Sequence, residues 1–235
     1  MKQDKKYYGD TRLNNFCAFC GCPTETEDHV PSKCFLNKPH PQDLPVIPCC
    51  YKCNHDFSLD EEYVSCMIDC MKAGTASPDL VKRKKTRKSL LHNPKLQKRI
   101  SAQIRNFGGV LLYDIEKERF EKVFRKLAFG HLAYENDTLA WEIPYTIRIN
   151  LLSDMSDSQR ECFFRPYRGE LSEVRSHGLE HVMLCYEDDG SYSYLSPWIT
   201  IQEGRYRYCV SPNGNIVKFV IAEYIAVEVR IGFTL

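Results

Sequence analysis

The chain has 235 residues, of which 43% are hydrophobic and 27% charged, and its formal net charge is +1. This length accommodates one large domain or two small ones, and the composition is that of a packed globular core rather than a disordered or collagen-like chain. No run of about 18 apolar residues occurs, which excludes a membrane-spanning helix, and a total charge near zero selects no partner.

The opening "MKQDKKYYGD" carries lysines but no apolar stretch. It reads as the start of a flexible N-terminus over residues 1–15 and not as a secretory leader. A cytoplasmic location follows as an expectation, with thiols kept reduced. The 12 cysteines are too few for a disulfide scaffold but many for a reduced protein. Clustered cysteines in that setting read as metal ligands.

The cluster begins at Cys17-x2-Cys20 and is answered by Cys50-x2-Cys53, with 29 residues between the pairs. Each pair presents two thiolates on one tight turn, half of a tetrahedral Zn²⁺ shell. Gly21 suits the turn, because a knuckle needs a residue tolerant of positive φ. Cys22 and Cys49 crowd the pairs; Cys50 is preferred over Cys49 because it gives the two-residue spacing.

Between the knuckles, "TEDHVP" predicts a short strand ending at Pro31, and "DLPVIPCC" a second one held to an edge by Pro45 and Pro48. "NKPHPQD" is the loop joining them. From Phe57 the pattern turns helical: Phe57, Val64, Met67, Ile68 and Met71 share a face, Ser58 and Glu61 fit a capping box, and Gly74 is a stop. The expected order is strand, loop, strand, helix.

Asp28 and His29 end the first strand, so their side chains point to opposite sides. Asn54 follows Cys53 directly, and the second knuckle fixes its place. A carboxylate and an amide oxygen are hard ligands, suited to Mg²⁺ or Mn²⁺, and an imidazole beside them is free to act as a base.

On Cys17, Cys20, Asp28, His29, Pro31, Cys50, Cys53 and Asn54, the segment from about 16 to 72 resembles the HNH endonuclease family. The resemblance implies a ββα-metal fold whose zinc joins hairpin to helix. It implies Asp28 and Asn54 as catalytic metal ligands, His29 as general base, and a phosphodiester in DNA, less favourably RNA, as substrate. Restriction, phage defence and mobile-element biology are all settings such a nuclease fits. Two departures stand out. Gln42 and Asp43 are the nearest polar residues where many members carry an Asn, and Ser58 lies where many carry a third ligand, with His55 as a substitute. The competing reading is a non-catalytic zinc module that docks on nucleic acid or protein; a weaker one is a thiol redox protein using Cys49 and Cys50.

Residues 78 to 106 hold ten Lys/Arg and one Asp, a local +9 in a chain of +1. Lys82, Arg83, Lys84, Lys85, Arg87 and Lys88 head this stretch and are expected to bind nucleic-acid phosphates, or else to form a solvated helix face. The region 78–137 reads as helical, interrupted at Asn93-Pro94. A final amphipathic helix from Tyr113 buries Ile115, Phe120, Val123, Phe124, Leu127 and Ala128, with Gly130 near its end.

Residues 138–235 are β-rich. "HVMLCYE", "YSYLSPW", "RYRYCVS", "NIVKFVI" and "YIAVEVRI" predict strands, and Asn213-Gly214 predicts a two-residue hairpin turn. The expected architecture is α+β: an N-terminal zinc-stabilised ββα module (16–74), a basic helical region, and a C-terminal helix with an antiparallel sheet. That last part is an accessory domain that could dock nucleic acid, a partner protein, a small ligand or a second copy. Trp198, Tyr206 and Tyr208 are better placed in packing than in recognition, and Cys162, Cys185 and Cys209 read as small buried hydrophobes.

Overall fold

The computed structural model describes residues 11–139, 142–170, 181–186 and 188–232. Residues 1–10, most of the stretch expected to be flexible, lie outside these; Thr11–Asn15 form a 3-10 turn, and Asn15 accepts the backbone N–H of Thr24 at 3.0 Å. The described residues form a mixed α+β structure with five α-helices and four antiparallel sheets.

In chain order, β1 (Thr26–His29) and β2 (Val46–Cys49) pair as a hairpin with Asp28 opposite Ile47 and His29 opposite Val46. Then come α1 (Tyr51–Ala73), α2 (Lys84–His92) and α3 (Pro94–Ala102). Strands β3 (Ile104–Phe107) and β4 (Val110–Tyr113) follow, then α4 (Lys117–Asn136) and β5 (Tyr145–Leu151). The rest is α5 (Asp157–Phe164), β6 (Tyr167–Gly169), β7 (Met183–Tyr186), β8 (Tyr192–Ser196), β9 (Ile199–Gln202), β10 (Tyr206–Val210), β11 (Ile216–Ile221) and β12 (Ile225–Ile231).

The chain divides into two compact units: Met1–Asp56 together with Phe124–Leu235, and Phe57–Val123. In the first, the larger sheet has the order β5-β12-β11-β10-β9. The later half of α4 lies on it. Phe124 meets Phe219 edge-on with centroids 5.7 Å apart, and His131 stacks on Tyr208 at 3.8 Å. Tyr206, Tyr208 and Phe219 are fully buried, and burial of a side chain of this size is worth roughly 2 kcal/mol. Trp198 packs on Phe163 and Phe164. These aromatics are packing residues, as their sheet positions led one to expect. Of the three late cysteines only Cys209 is fully buried; Cys162 is exposed and Cys185 intermediate.

The second unit centres on Tyr63 of α1. Its ring meets Phe120 edge-on at 6.2 Å and its hydroxyl donates to Gln103 at 2.8 Å. Asp60 holds Arg119 at 2.7 Å and Lys122 at 2.6 Å.

Several elements differ from expectation. Helix α1 starts at Tyr51, six residues before Phe57, so Ser58 is interior to the helix and caps nothing. The Glu25 carboxylate instead accepts the Tyr51 N–H at 2.9 Å, supplying both acceptor and negative charge to the helix head. Asn93 breaks the basic stretch as read: its side chain accepts from Leu96 N–H and Pro94 opens α3. The helical reading fails at residues 104–113, which form the β3–β4 hairpin around Gly108 and Gly109, both at positive φ. Helix α4 therefore starts at Lys117, leaving Ile115 outside it, and runs past Gly130 to Asn136. Strands β5, β6 and β9 and helix α5 carried no expectation. Asn213-Gly214 is not a two-residue turn. The connection spans residues 211–215, closed by Ser211 N–H on the Ile216 carbonyl at 2.8 Å and by Ile216 N–H on Ser211 Oγ at 2.9 Å.

Candidate metal centre

Cys17 and Cys20 sit on the turn that precedes β1. Gly21 has φ 74° and donates its N–H to the Cys17 carbonyl at 3.0 Å. The Phe19 N–H points at Cys17 Sγ at 3.4 Å. Cys50 and Cys53 head α1, where Cys53 N–H points at Cys50 Sγ at 3.4 Å and Asn54 N–H reaches the Cys50 carbonyl at 3.1 Å. Both turns thus aim amide hydrogens at sulfur, an environment that favours thiolate.

The four sulfurs lie within 4.8 Å of one another, and among the described residues this is the one group of three or more potential ligands placed for a metal ion. Cys20 and Cys50 Sγ are 3.7 Å apart. Sulfurs on a tetrahedral zinc ion with roughly 2.3 Å bonds are about 3.8 Å apart. Donor type, number and spacing all fit, so the four cysteines could hold zinc.

Cys49 and Cys50 now separate. Cys49 is fully buried, and its thiol lies 3.3 Å from the Cys50 carbonyl. A hydrogen bond with Cys49 holds the Cys17 thiol down at about 4, and the same bond, with burial, pushes the Cys49 thiol up. Cys49 thus lies outside the group of four, its thiol directed at the Cys50 carbonyl. Burial pushes the Cys20 thiol up to about 12 and also raises that of Cys53. Four thiols so close cannot all ionise without a cation, and metal binding would release their protons.

Asn54 follows Cys53 in α1, while Asp28 and His29 end β1 opposite Ile47 and Val46. Asn54 donates its side-chain amide to Thr26 Oγ at 3.2 Å and to the Glu27 carbonyl at 3.3 Å. It therefore ties the helix head to β1. His29 is half-buried; burial, with Lys33 adding to it, lowers its imidazole from the ordinary value. His55 stacks on Tyr51 at 6.2 Å on the exposed side of α1.

Asp28 is buried, and both its oxygens are engaged. Oδ1 accepts the His29 backbone N–H at 2.9 Å. Oδ2 meets the Lys126 ammonium at 2.7 Å, with side chains 10% and 3% exposed. Lys126 also donates to Ser32 Oγ at 3.1 Å. A small cleft is lined by Phe19, Asp28, His29, Ser32, Lys126 and Gly130 among others. The Mg²⁺ or Mn²⁺ implied at Asp28 does not fit this donor set, because a cation already holds the carboxylate. Sequence reasoning missed Lys126. Its signal was a lysine inside the apolar run of α4, four residues before Gly130. A Cβ at Gly130 would lie 3.4 Å from Val30 and 3.7 Å from Ile47, which shows how closely α4 approaches the hairpin.

The basic segment is of two kinds. Lys82, Lys84, Lys85 and Lys88 are exposed. Arg83 is not available to phosphate: its guanidinium lies 2.8 Å from Ser65 Oγ and 3.1 Å from Asp69 Oδ2, in a pair only 7% and 5% exposed. Arg87 is half-buried and donates to the Val81 carbonyl at 3.3 Å. Those two residues brace α2.

No family model, curated protein or solved structure matches the chain significantly. Among the described residues, no helix is long and apolar enough to cross a membrane.

Proposed function

We propose that the cysteine-bound hairpin and helix head form an HNH-type endonuclease site that hydrolyses phosphodiester bonds in DNA, RNA being the less favoured substrate. One observation carries this reading. Two strands and a helix follow in order with a four-cysteine cluster at the head of the helix, and Asn54 of that helix is hydrogen-bonded to β1, the strand that ends in Asp28-His29.

Zinc on Cys17, Cys20, Cys50 and Cys53 would supply rigidity and no chemistry, fixing the strand and helix that carry the reactive groups. His29 takes the proton of a water molecule as its oxygen attacks phosphorus and the bond to the 3′ oxygen breaks. The products are a 5′ phosphate and a 3′ hydroxyl, the leaving oxygen taking a proton from solvent. Neutral imidazole is needed for this, and burial of His29 favours it. Exposed Lys82, Lys84, Lys85 and Lys88 supply sequence-independent attraction to the backbone.

The test is nicking of supercoiled plasmid by wild type and His29→Ala, each with Mg²⁺, with Mn²⁺ and with EDTA. Cleavage by wild type and none by the variant, at equal zinc content, is expected. Equal cleavage by His29→Ala removes the base from this reading. The second reading, a zinc module that binds without cutting, is favoured by the ion pair that closes Asp28. It predicts salt-sensitive DNA binding and no nicking under any of the conditions.

A further inference from the structure

Catalytic metal sites expose carboxylate oxygens to the ion; the Asp28 carboxylate does not. A dication at Asp28 would face the Lys126 ammonium, 2.7 Å from Oδ2, across a single carboxylate. The lysine is built in. Its stem descends from α4, its side chain is 3% exposed, and Ser32, itself buried, accepts a second hydrogen bond at 3.1 Å. Its ring neighbour is Phe19, whose centroid lies 5.9 Å from the ammonium.

We propose that Lys126 is the resident cation of this site and that no divalent ion binds at Asp28. A phosphate oxygen entering the cleft beside His29 meets an ammonium, a point charge well suited to phosphate. An ammonium can balance charge growing on the phosphoryl oxygens, as preorganised cations do. It cannot activate water as a metal does, which leaves His29 as the sole activator. The phosphate part of this proposal rests on the endonuclease reading; the part about the metal does not.

The experiment uses zinc-loaded full-length protein titrated with Mn²⁺ and followed by electron paramagnetic resonance. The free Mn²⁺ signal is expected to grow in proportion from the first addition, with no bound equivalent. Binding of one Mn²⁺ that Asp28→Asn abolishes overturns the proposal. In Lys126→Ala the carboxylate is opened, and one Mn²⁺ is expected to bind at least tenfold more tightly than in wild type. Lys126→Arg, which keeps the charge should the alanine variant not fold, is expected to bind none, and a bound equivalent there counts against the proposal. In the second arm, plasmid nicking is compared in Mg²⁺ and in brief EDTA with zinc content verified. Rates within twofold support Lys126 as the cation, and a hundredfold loss in EDTA refutes it. Absence of nicking in both conditions refutes the endonuclease reading and leaves the Mn²⁺ titration to decide the metal question.

Discussion

Replacing Asp28 by Asn and Lys126 by Met, singly and together, measures how firmly the site is closed. The ammonium and carboxylate are 2.7 Å apart with side chains 3% and 10% exposed. At an effective dielectric constant of about 20, two unit charges at that distance attract by about 6 kcal/mol. Removing both from water offsets much of this, so the pair itself contributes little net stability. Breaking it is another matter. Lys126→Met keeps the aliphatic stem packed but leaves a buried carboxylate, with an expected cost of about 3 to 5 kcal/mol. Asp28→Asn leaves a buried ammonium hydrogen-bonded to Ser32 without its counter-charge, and a similar cost is expected. The double variant removes both charges and is expected to recover about 2 kcal/mol or more of the summed loss. Urea denaturation in excess zinc reads all four proteins. A coupling energy below about 0.5 kcal/mol, the size found for exposed pairs, refutes the buried contact on which the closed site depends.

Three other outcomes are expected. Cys50→Ala and Cys53→Ala lose bound zinc, whereas Cys49→Ala and His29→Ala keep it at wild-type level by mass spectrometry of the metal; zinc loss in Cys49→Ala would restore it as a ligand. Replacing Lys82, Lys84, Lys85 and Lys88 by Gln lowers DNA affinity and reduces the salt slope by about 3 to 4, read by fluorescence anisotropy. Arg83→Gln is expected instead to lower thermal stability and leave the slope unchanged; the reverse result contradicts the buried pair with Asp69. The nicking rate falls as pH drops through the His29 pKa, because only the neutral imidazole accepts a proton. Since burial lowers that pKa from 6.5, the midpoint is expected below 6.5, and a midpoint above it argues against His29 as base.

What the sequence made legible was local. C-x2-C spacing and glycine at the knuckle depend on neighbours a few residues apart, and both knuckles formed as read. So did the hairpin, read over "TEDHVP" and "DLPVIPCC" and formed by Thr26–His29 and Val46–Cys49. Helix α1 started early for a reason that spacing does not carry: Glu25, 26 residues upstream, supplies the cap to Tyr51. The β3–β4 hairpin was hidden because Ile104–Phe107 continues the basic helical composition. Only the Gly108-Gly109 pair, at φ 57° and 92°, marks the reversal. Arg83 looked like its lysine neighbours, but its partners Ser65 and Asp69 lie on α1.

The same reasoning explains the largest miss at the site. Asp28 reads as an open carboxylate because nothing near it in sequence is positively charged except Lys33. Its partner arrives 98 residues later, carried by a helix whose Gly130 faces Val30 and Ile47. On the proposed reading, zinc and lysine would divide two tasks that a motif would merge. The four thiols, once holding zinc, would fix the geometry of strand and helix, and the ammonium would fix the charge beside His29. A cation covalently tied to α4 needs no affinity to stay in place and no geometry beyond two hydrogen bonds. It also carries half the charge of Mg²⁺, so less stabilisation is available to a developing phosphoryl anion. On the proposed endonuclease reading, a site built this way trades catalytic strength for independence from free metal, and the nicking expected of it is slow and insensitive to chelation.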